Sequence, residues 1–150
     1  MVSHHLLLII HLISMAVWVG GHLYLAFRVL PEVLRSRDSE KLLRFEKSFE
    51  PLGMPALLLL IITGVWMSLQ FGISWKEWFD FDSPMERVIS IKLILLFSTV
   101  LFAISAQTKV LPKLRKGKDH LNEMAFHVIM VTLLGIAMLV LGSFLRYGGF

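Results

Sequence analysis

Residues 4–35 read HHLLLIIHLISMAVWVGGHLYLAFRVLPEVLR. From Leu6 to Leu30 the stretch is long and apolar enough to cross a bilayer as a helix. It nevertheless carries His11 and His22. A helix turns about 100° per residue, so the step from His11 to His22 is about 1100°, close to three full turns. Both imidazoles therefore share one face, separated by roughly 16 Å along the axis. His4, Leu8, His11, Met15, Trp18 and His22 form one continuous stripe on that face. An ionisable residue inside a membrane is costly to place, and its default reading is functional.

Composition agrees with a membrane chain. The 150 residues are 56% hydrophobic, with a mean hydropathy of +0.72, outside the range of ordinary soluble domains. There is no cysteine, which excludes a disulfide framework and a thiolate metal site. The first residues lack a basic n-region and a small-residue cleavage site, so the first helix is expected to stay in the mature protein. The net charge of +4 does not point to nucleic acid, because the basic residues gather in two loops between apolar spans.

Four spans can be read, at about residues 6–30, 52–71, 87–106 and 120–144. Residues 1–150 are thus expected to form a single all-α membrane domain, a four-helix bundle. The loop after the first span holds Arg35, Arg37, Lys41, Arg44 and Lys47, and that after the third holds Lys109, Lys113, Arg115, Lys116 and Lys118. The loop between the second and third spans holds Lys76 and, at its edge, Arg87, against Glu77, Asp80, Asp82 and Glu86. Basic loops stay in the cytoplasm. Both termini are therefore expected on the non-cytoplasmic side of a cell inner membrane.

The loops carry further signals. Ser39–Pro51 mixes Leu42, Leu43, Phe45 and Phe49 with charges and reads as an interfacial helix or an extension of the second span. Trp75, Trp78, Phe79 and Phe81 read as an interfacial aromatic belt, with a cover over a pocket as the alternative. Gly20-Gly21 permits close helix contact beside His22. Pro55 is placed in the first turns of the second span, where proline is tolerated.

Counting from the loop ends sorts the polar residues by depth. His22 and His127 come out nearly level toward the cytoplasmic side, and His11 and Lys92 toward the outer side. Two histidines on facing helices suit bis-imidazole ligation of haem iron. His22 and His127 are the expected ligands, with Arg28 placed to meet propionates. Hydrogen bonding of each histidine to a carbonyl or hydroxyl, with no cofactor, is the plainer alternative. Lys92 snorkels to the interface, binds an anionic group such as a propionate, or tunes a proton-transfer site beside His11. His11 itself is a candidate for a second haem or metal. His4 and His5, with Met1 and Met15, have the donor types of a copper site, although terminal histidines are more often simply exposed. His120 reads as a cap or solvent group, and Met124, Met130 and Met138 as packing.

HLISMAVWVGG followed by LYLAFRVLPEVL resembles the first helix of the CopD and HemJ-type superfamily of small membrane proteins. RFEKSFEPLGMPALLLLIITGVWMSL is similar to the segment that enters that superfamily's second helix. IKLILL around Lys92 resembles its lysine-bearing helix, and Asn122-Glu123 its Asn-Glu motif. The resemblance spans nearly the whole chain. On the HemJ side it implies a haem-b protein that oxidises protoporphyrinogen, with His11 and Lys92 as catalytic residues and Arg28, Asn122 and Glu123 at polar positions. Ser90 and Ala125 depart from that pattern, which has a histidine and a proline there, and His22 and His127 are not part of it. The WVGG sequence is closer to the copper-linked CopD branch.

The expectation from sequence is a haem-b-binding, cytochrome-b-like membrane protein. Its work would be electron transfer or redox chemistry on a porphyrin or quinone-like molecule, with a redox partner or hydrophobic substrate drawn from the bilayer. His22 and His127 would hold the iron, and His11 and Lys92 would line a second polar site. The rival is a CopD-like protein that transports or resists copper. A cofactor-free assembly partner is the third reading, and the oligomeric state stays open between monomer and homodimer.

Overall fold

The computed structural model describes residues 2–117 and 119–149. Every regular element among them is helical. Helix α1 (Val2–Tyr24) passes through a π-helical turn at Leu25–Val29 into α2 (Leu30–Ser36). Helix α3 covers Ser39–Gln70. Helix α4 (Pro84–Ser105) passes through a second π-helical turn at Ala106–Val110 into α5 (Leu111–Arg115), and α6 covers Leu121–Leu145. Four of these continuous rods, His4–Ser36, Ser39–Gln70, Pro84–Arg115 and Leu121–Leu145, are long and apolar enough to cross a membrane. This is an all-helical, multi-pass membrane protein.

Local chemistry explains the helix ends. Arg37 adopts the left-handed conformation (φ 57°) and stops α2. Asp38 then accepts from the backbone N–H groups of Glu40 and Lys41 at 3.0 and 3.3 Å, capping α3 two residues after α2 ends. Ser83 and Glu86 form a reciprocal capping box, with Pro84 in the first turn of α4, where its missing N–H costs nothing. The Ser39–Pro51 stretch is thus one helix with the second span. Pro55 accordingly lies in the middle of α3, not in its first turns as expected.

The two π-helical turns have one cause. Pro31 and Pro112 each follow the same Val-Leu pair, Val29-Leu30 and Val110-Leu111. A proline offers no N–H and crowds the carbonyl four residues earlier. The helix widens just ahead of it, so Leu30 N–H reaches Leu25 O and Leu111 N–H reaches Ala106 O. Val29, Leu30, Val110 and Leu111 are nearly fully buried, with Leu42 and Leu114, in a core at the end of the bundle that carries the basic loops. Here that end is the basic end, and the opposite one, holding both termini, the terminal end.

The repeat extends to packing. α1 packs along α3 as α4 packs along α6, giving two equivalent helical hairpins. The interval from Pro31 to Pro112 is also that from His11 to Lys92, so these two residues occupy matching positions. The hairpins meet where α1 crosses α6. A Cβ on Gly135 would lie 3.3 Å from Val19, and the Thr132 hydroxyl, bonded to Val128 O at 2.7 Å, also lies 3.3 Å from His22 O. The symmetry-related pair, α3 and α4, does not close in the same way, and α3 meets this half through α5 at the basic end. A cleft therefore runs between α3 and α4.

Phe49 is wedged into this arrangement from α3. A Cβ on Gly53 would come within 2.6 Å of its ring, and one on Gly21 would run into it. The ring lies edge-on to His22 at 5.7 Å and stacks with Phe45 at 5.7 Å. In the 71–83 loop, Trp75 and Phe79 are exposed, in keeping with an interfacial belt. The Ser74 N–H and hydroxyl both donate to Glu77 at 2.7 Å, which holds that carboxyl below its usual range.

Gly21→Ala is expected to displace Phe49 and destabilise the protein by about 1–3 kcal/mol, the usual cost of overpacking. Thermal unfolding in detergent checks this, and Phe49→Ala in the same chain should recover most of the loss. A neutral Gly21→Ala would contradict the wedge.

Candidate functional site

The cleft widens into two cavities. The terminal-end cavity, about 730 Å³, is lined by His11 and Met15 from α1, Met67 and Ser68 from α3, Lys92 from α4 and Met138 from α6, among apolar residues. The basic-end cavity, about 650 Å³, is lined by Trp18 and His22 from α1, Phe49 and Met54 from α3, and Met124 and His127 from α6, with Glu46 and Gln107 toward the basic end.

Three of the lining histidines share one hydrogen-bond arrangement. His22 Nδ1 is 2.9 Å from Trp18 O, and His127 Nδ1 is 2.8 Å from Glu123 O. A carbonyl oxygen only accepts, so Nδ1 carries the proton in both rings. His11 Nδ1 is 2.8 Å from Thr63 Oγ1, whose own proton goes to Leu59 O at 2.5 Å. Thr63 must therefore accept from His11, and Nδ1 is again the protonated nitrogen. Each ring is left with an Nε2 lone pair. On His127 that lone pair accepts from Ser105 Oγ at 3.1 Å. Such N–H bonds to a carbonyl or hydroxyl fix tautomer and ring direction, as they do for metal-binding histidines.

The histidines stand at three depths. The Thr132 hydroxyl lies beside the His22 carbonyl, so Thr132 is level with His22. His127 lies five residues earlier in α6, about 7 Å nearer the basic end. Their rings also lean apart. Helical side chains tilt toward the N-terminus of their own helix, and α1 and α6 run oppositely. Hence His22 reaches back to Trp18 while His127 reaches back to Glu123. The level pairing expected from residue counting is replaced by a stagger, because α1 runs on to Ser36 beyond the apolar span. His11 lies nearer the terminal end, beside Gly64, and Lys92 Nζ lies beside Gly142.

Other predicted residues are placed elsewhere. Arg28 is exposed and lines a shallow surface hollow with Glu32 and Arg35, outside both cavities. His4 bonds Gln70 at 2.7 Å and packs edge-on against Phe71. Met15 is three turns away from it in the terminal-end cavity, so it does not join His4, and Met1 of the expected copper set lies outside the described residues. His120 pairs with Glu123 at 2.8 Å and makes no side-chain cap. Asn122 is exposed. Among the described residues no three His, Asp or Glu side chains converge to hold a metal ion.

The methionines carry what the sequence reading set aside. Met15 follows His11 by four residues and Met124 precedes His127 by three, so each imidazole has a thioether neighbour on its own helix face. Met67 and Met138 add two more thioethers to the terminal-end cavity. The i, i+3 and i, i+4 spacings were visible in the sequence, but helix contacts were needed to show that these residues face one cleft.

Fold and site thus define a four-span membrane bundle with a mainly apolar cleft between its second and third spans, into which histidines and one lysine are set. Residues 43–145 match the family model of Copper resistance protein D, and the chain belongs to that family. The matched region includes Lys92, Met124 and His127, while His11 and His22 precede it. No curated relative and no solved structure matches the chain.

Nitrogen NMR of imidazole-labelled protein should show His11, His22 and His127 as neutral Nδ1–H tautomers. Thr63→Val should release the His11 ring alone into mixed tautomers. An Nε2–H form of His11 in the wild type would contradict the Thr63 bond.

Proposed function

We propose that this protein handles copper as Cu(I), passing or holding it along the cleft between α3 and α4. The observation that carries the reading is the shared geometry of the three histidines. Each parks its proton on Nδ1 and keeps its lone pair on Nε2, where a metal would displace the Ser105 hydroxyl from His127, and two have a methionine one turn away on the same face. Imidazole and thioether are the ligand types that suit Cu(I). Staggered imidazoles suit a ladder of stations better than one clamp. His11 with Met15, Met67 and Met138 makes the terminal-end station. His22 is the middle step. His127 with Met124 makes the basic-end station. Lys92 adds positive charge to the terminal-end cavity, so the basic-end station holds a cation more tightly. The family's printed name, copper resistance, supports the same cargo. With the basic loops in the cytoplasm, the termini face the outside of a cell inner membrane, and copper moves between that side and the basic end.

The second reading is haem b with redox chemistry, as the sequence suggested. The observation in its favour is that His22 and His127, on facing helices, line one cavity. Their stagger and opposite lean do not fit the two axial positions of one iron, so a haem there takes a single imidazole. Arg28 gives it no propionate partner within the cavity. His11 and Lys92 as catalytic residues belong to this reading.

Cu(I) titration of the detergent-solubilised protein against a coloured chelator, under reducing conditions, tests the first reading. Wild type should compete for Cu(I). His127→Ala with Met124→Leu should weaken the tightest site at least tenfold, about 1.4 kcal/mol, and Lys92→Met should strengthen the other. The preparation should be colourless. No competition above a detergent blank would overturn the copper reading, and a Soret band in that preparation would favour haem.

A further inference from the structure

In the copper reading Lys92 acts only as a repelling charge and has no partner of its own. It sits on α4, facing into the terminal-end cavity. Its Nζ would be 3.6 Å from a Cβ on Gly142, so the side chain runs toward the terminal end along the inner side of α6. It makes no hydrogen bond or ion pair with any described residue. Among the described residues no Asp or Glu lines the cavity. From α1, α3 and α6, the other titratable group that faces it is His11. The remaining lining is apolar apart from Ser68, and the cavity opens sideways between α3 and α4.

A cation at the head of an apolar trough needs a counter-charge, because an unpaired charge in low dielectric is costly. A small hydrated anion would satisfy Lys92 and leave the trough unfilled. An amphiphile with one negative head answers both features. We propose that this cavity binds a long-chain carboxylate, with the carboxylate on Lys92 Nζ and the acyl chain lying between α3 and α4 against Leu57, Leu60, Leu93 and Leu96. Depth agrees. Gly142 precedes the end of α6 at Leu145 by three residues, about one turn, which sets the head near the border of the hydrocarbon layer. Donor count separates a carboxylate from a phospholipid. The His11 proton is given to Thr63 and the Ser68 hydroxyl to Val65 O at 2.7 Å, so Lys92 Nζ is the donor left for the head, which suits one carboxylate and leaves phosphate and glycerol ester oxygens unmatched. The lateral opening supplies entry from the bilayer, and it lies where the second hairpin contact of a symmetric bundle would close.

The test uses the full chain in a neutral detergent and cis-parinaric acid, a fluorescent long-chain carboxylate. Binding should saturate at one site and be displaced by oleate, with oleyl alcohol at least tenfold weaker. Lys92→Met should weaken binding at least tenfold, while Lys92→Arg stays within a few fold of wild type. Absence of saturable binding, equal displacement by the alcohol, equal binding by Lys92→Met, or stronger displacement by phosphatidic acid would each overturn the proposal. If Lys92→Met does not fold, the acid-against-alcohol comparison on wild type decides. No copper enters this measurement, so its outcome is independent of the copper reading.

Discussion

The close crossing of α1 and α6 holds the two hairpins together. Gly135 lets α6 approach Val19, and the Thr132 hydroxyl reaches the His22 carbonyl across the same contact. In lipid there is no hydrophobic drive between helices, so small residues and short polar links set which faces meet. Because this contact forms on one side only, the equivalent faces of α3 and α4 stay apart. His11, His22, His127 and Lys92 line the cavities in the gap that remains. The cavities, the histidine ladder and Lys92 are consequences of an internal repeat whose second contact is not made.

That gap explains how a chain so apolar tolerates three histidines and a lysine within its spans. A neutral imidazole has one proton to donate, and each ring gives it to an acceptor that helix geometry supplies. For His22 and His127 the acceptor is the carbonyl one turn back, and for His11 it is Thr63, itself anchored on Leu59. That leaves the Nε2 lone pair of each ring as an acceptor, which on His127 already takes the Ser105 hydroxyl. A soft, weakly hydrated cation that accepts few ligands matches such stations. Lys92 has no equivalent partner, which sets it apart from the histidines chemically although the repeat places it opposite His11.

Much of the architecture was legible from hydropathy. The four spans and the common level of His11 and Lys92 follow from periodicity and loop charge, which depend on near neighbours, whereas Ser39–Pro51 read equally as an interfacial helix until the structure joined it to the second span. Depth failed for His22 and His127 for physical reasons. Counting from a loop assumes that a helix stops at the membrane edge, yet α1 continues to Ser36 and α3 starts at Ser39. It also ignores the opposite lean of side chains on antiparallel helices. The matching Val-Leu-Pro segments were present in the sequence, and they mark both the π-helical turns and the repeat. The Phe49 wedge between Gly21 and Gly53 depends on which helix lies beside which, and no local pattern encodes that. The same holds for Arg28, whose spacing from His22 says nothing about the face it reaches.

X-ray absorption at the copper K-edge of the Cu(I)-loaded protein tests the central claim most directly, because it reads the atoms bound to the metal. The account predicts a low-coordinate Cu(I) shell with both imidazole nitrogen and thioether sulfur, the sulfur contribution falling when Met124 is replaced by leucine. A shell of oxygen and nitrogen alone, unchanged by that replacement, would contradict it.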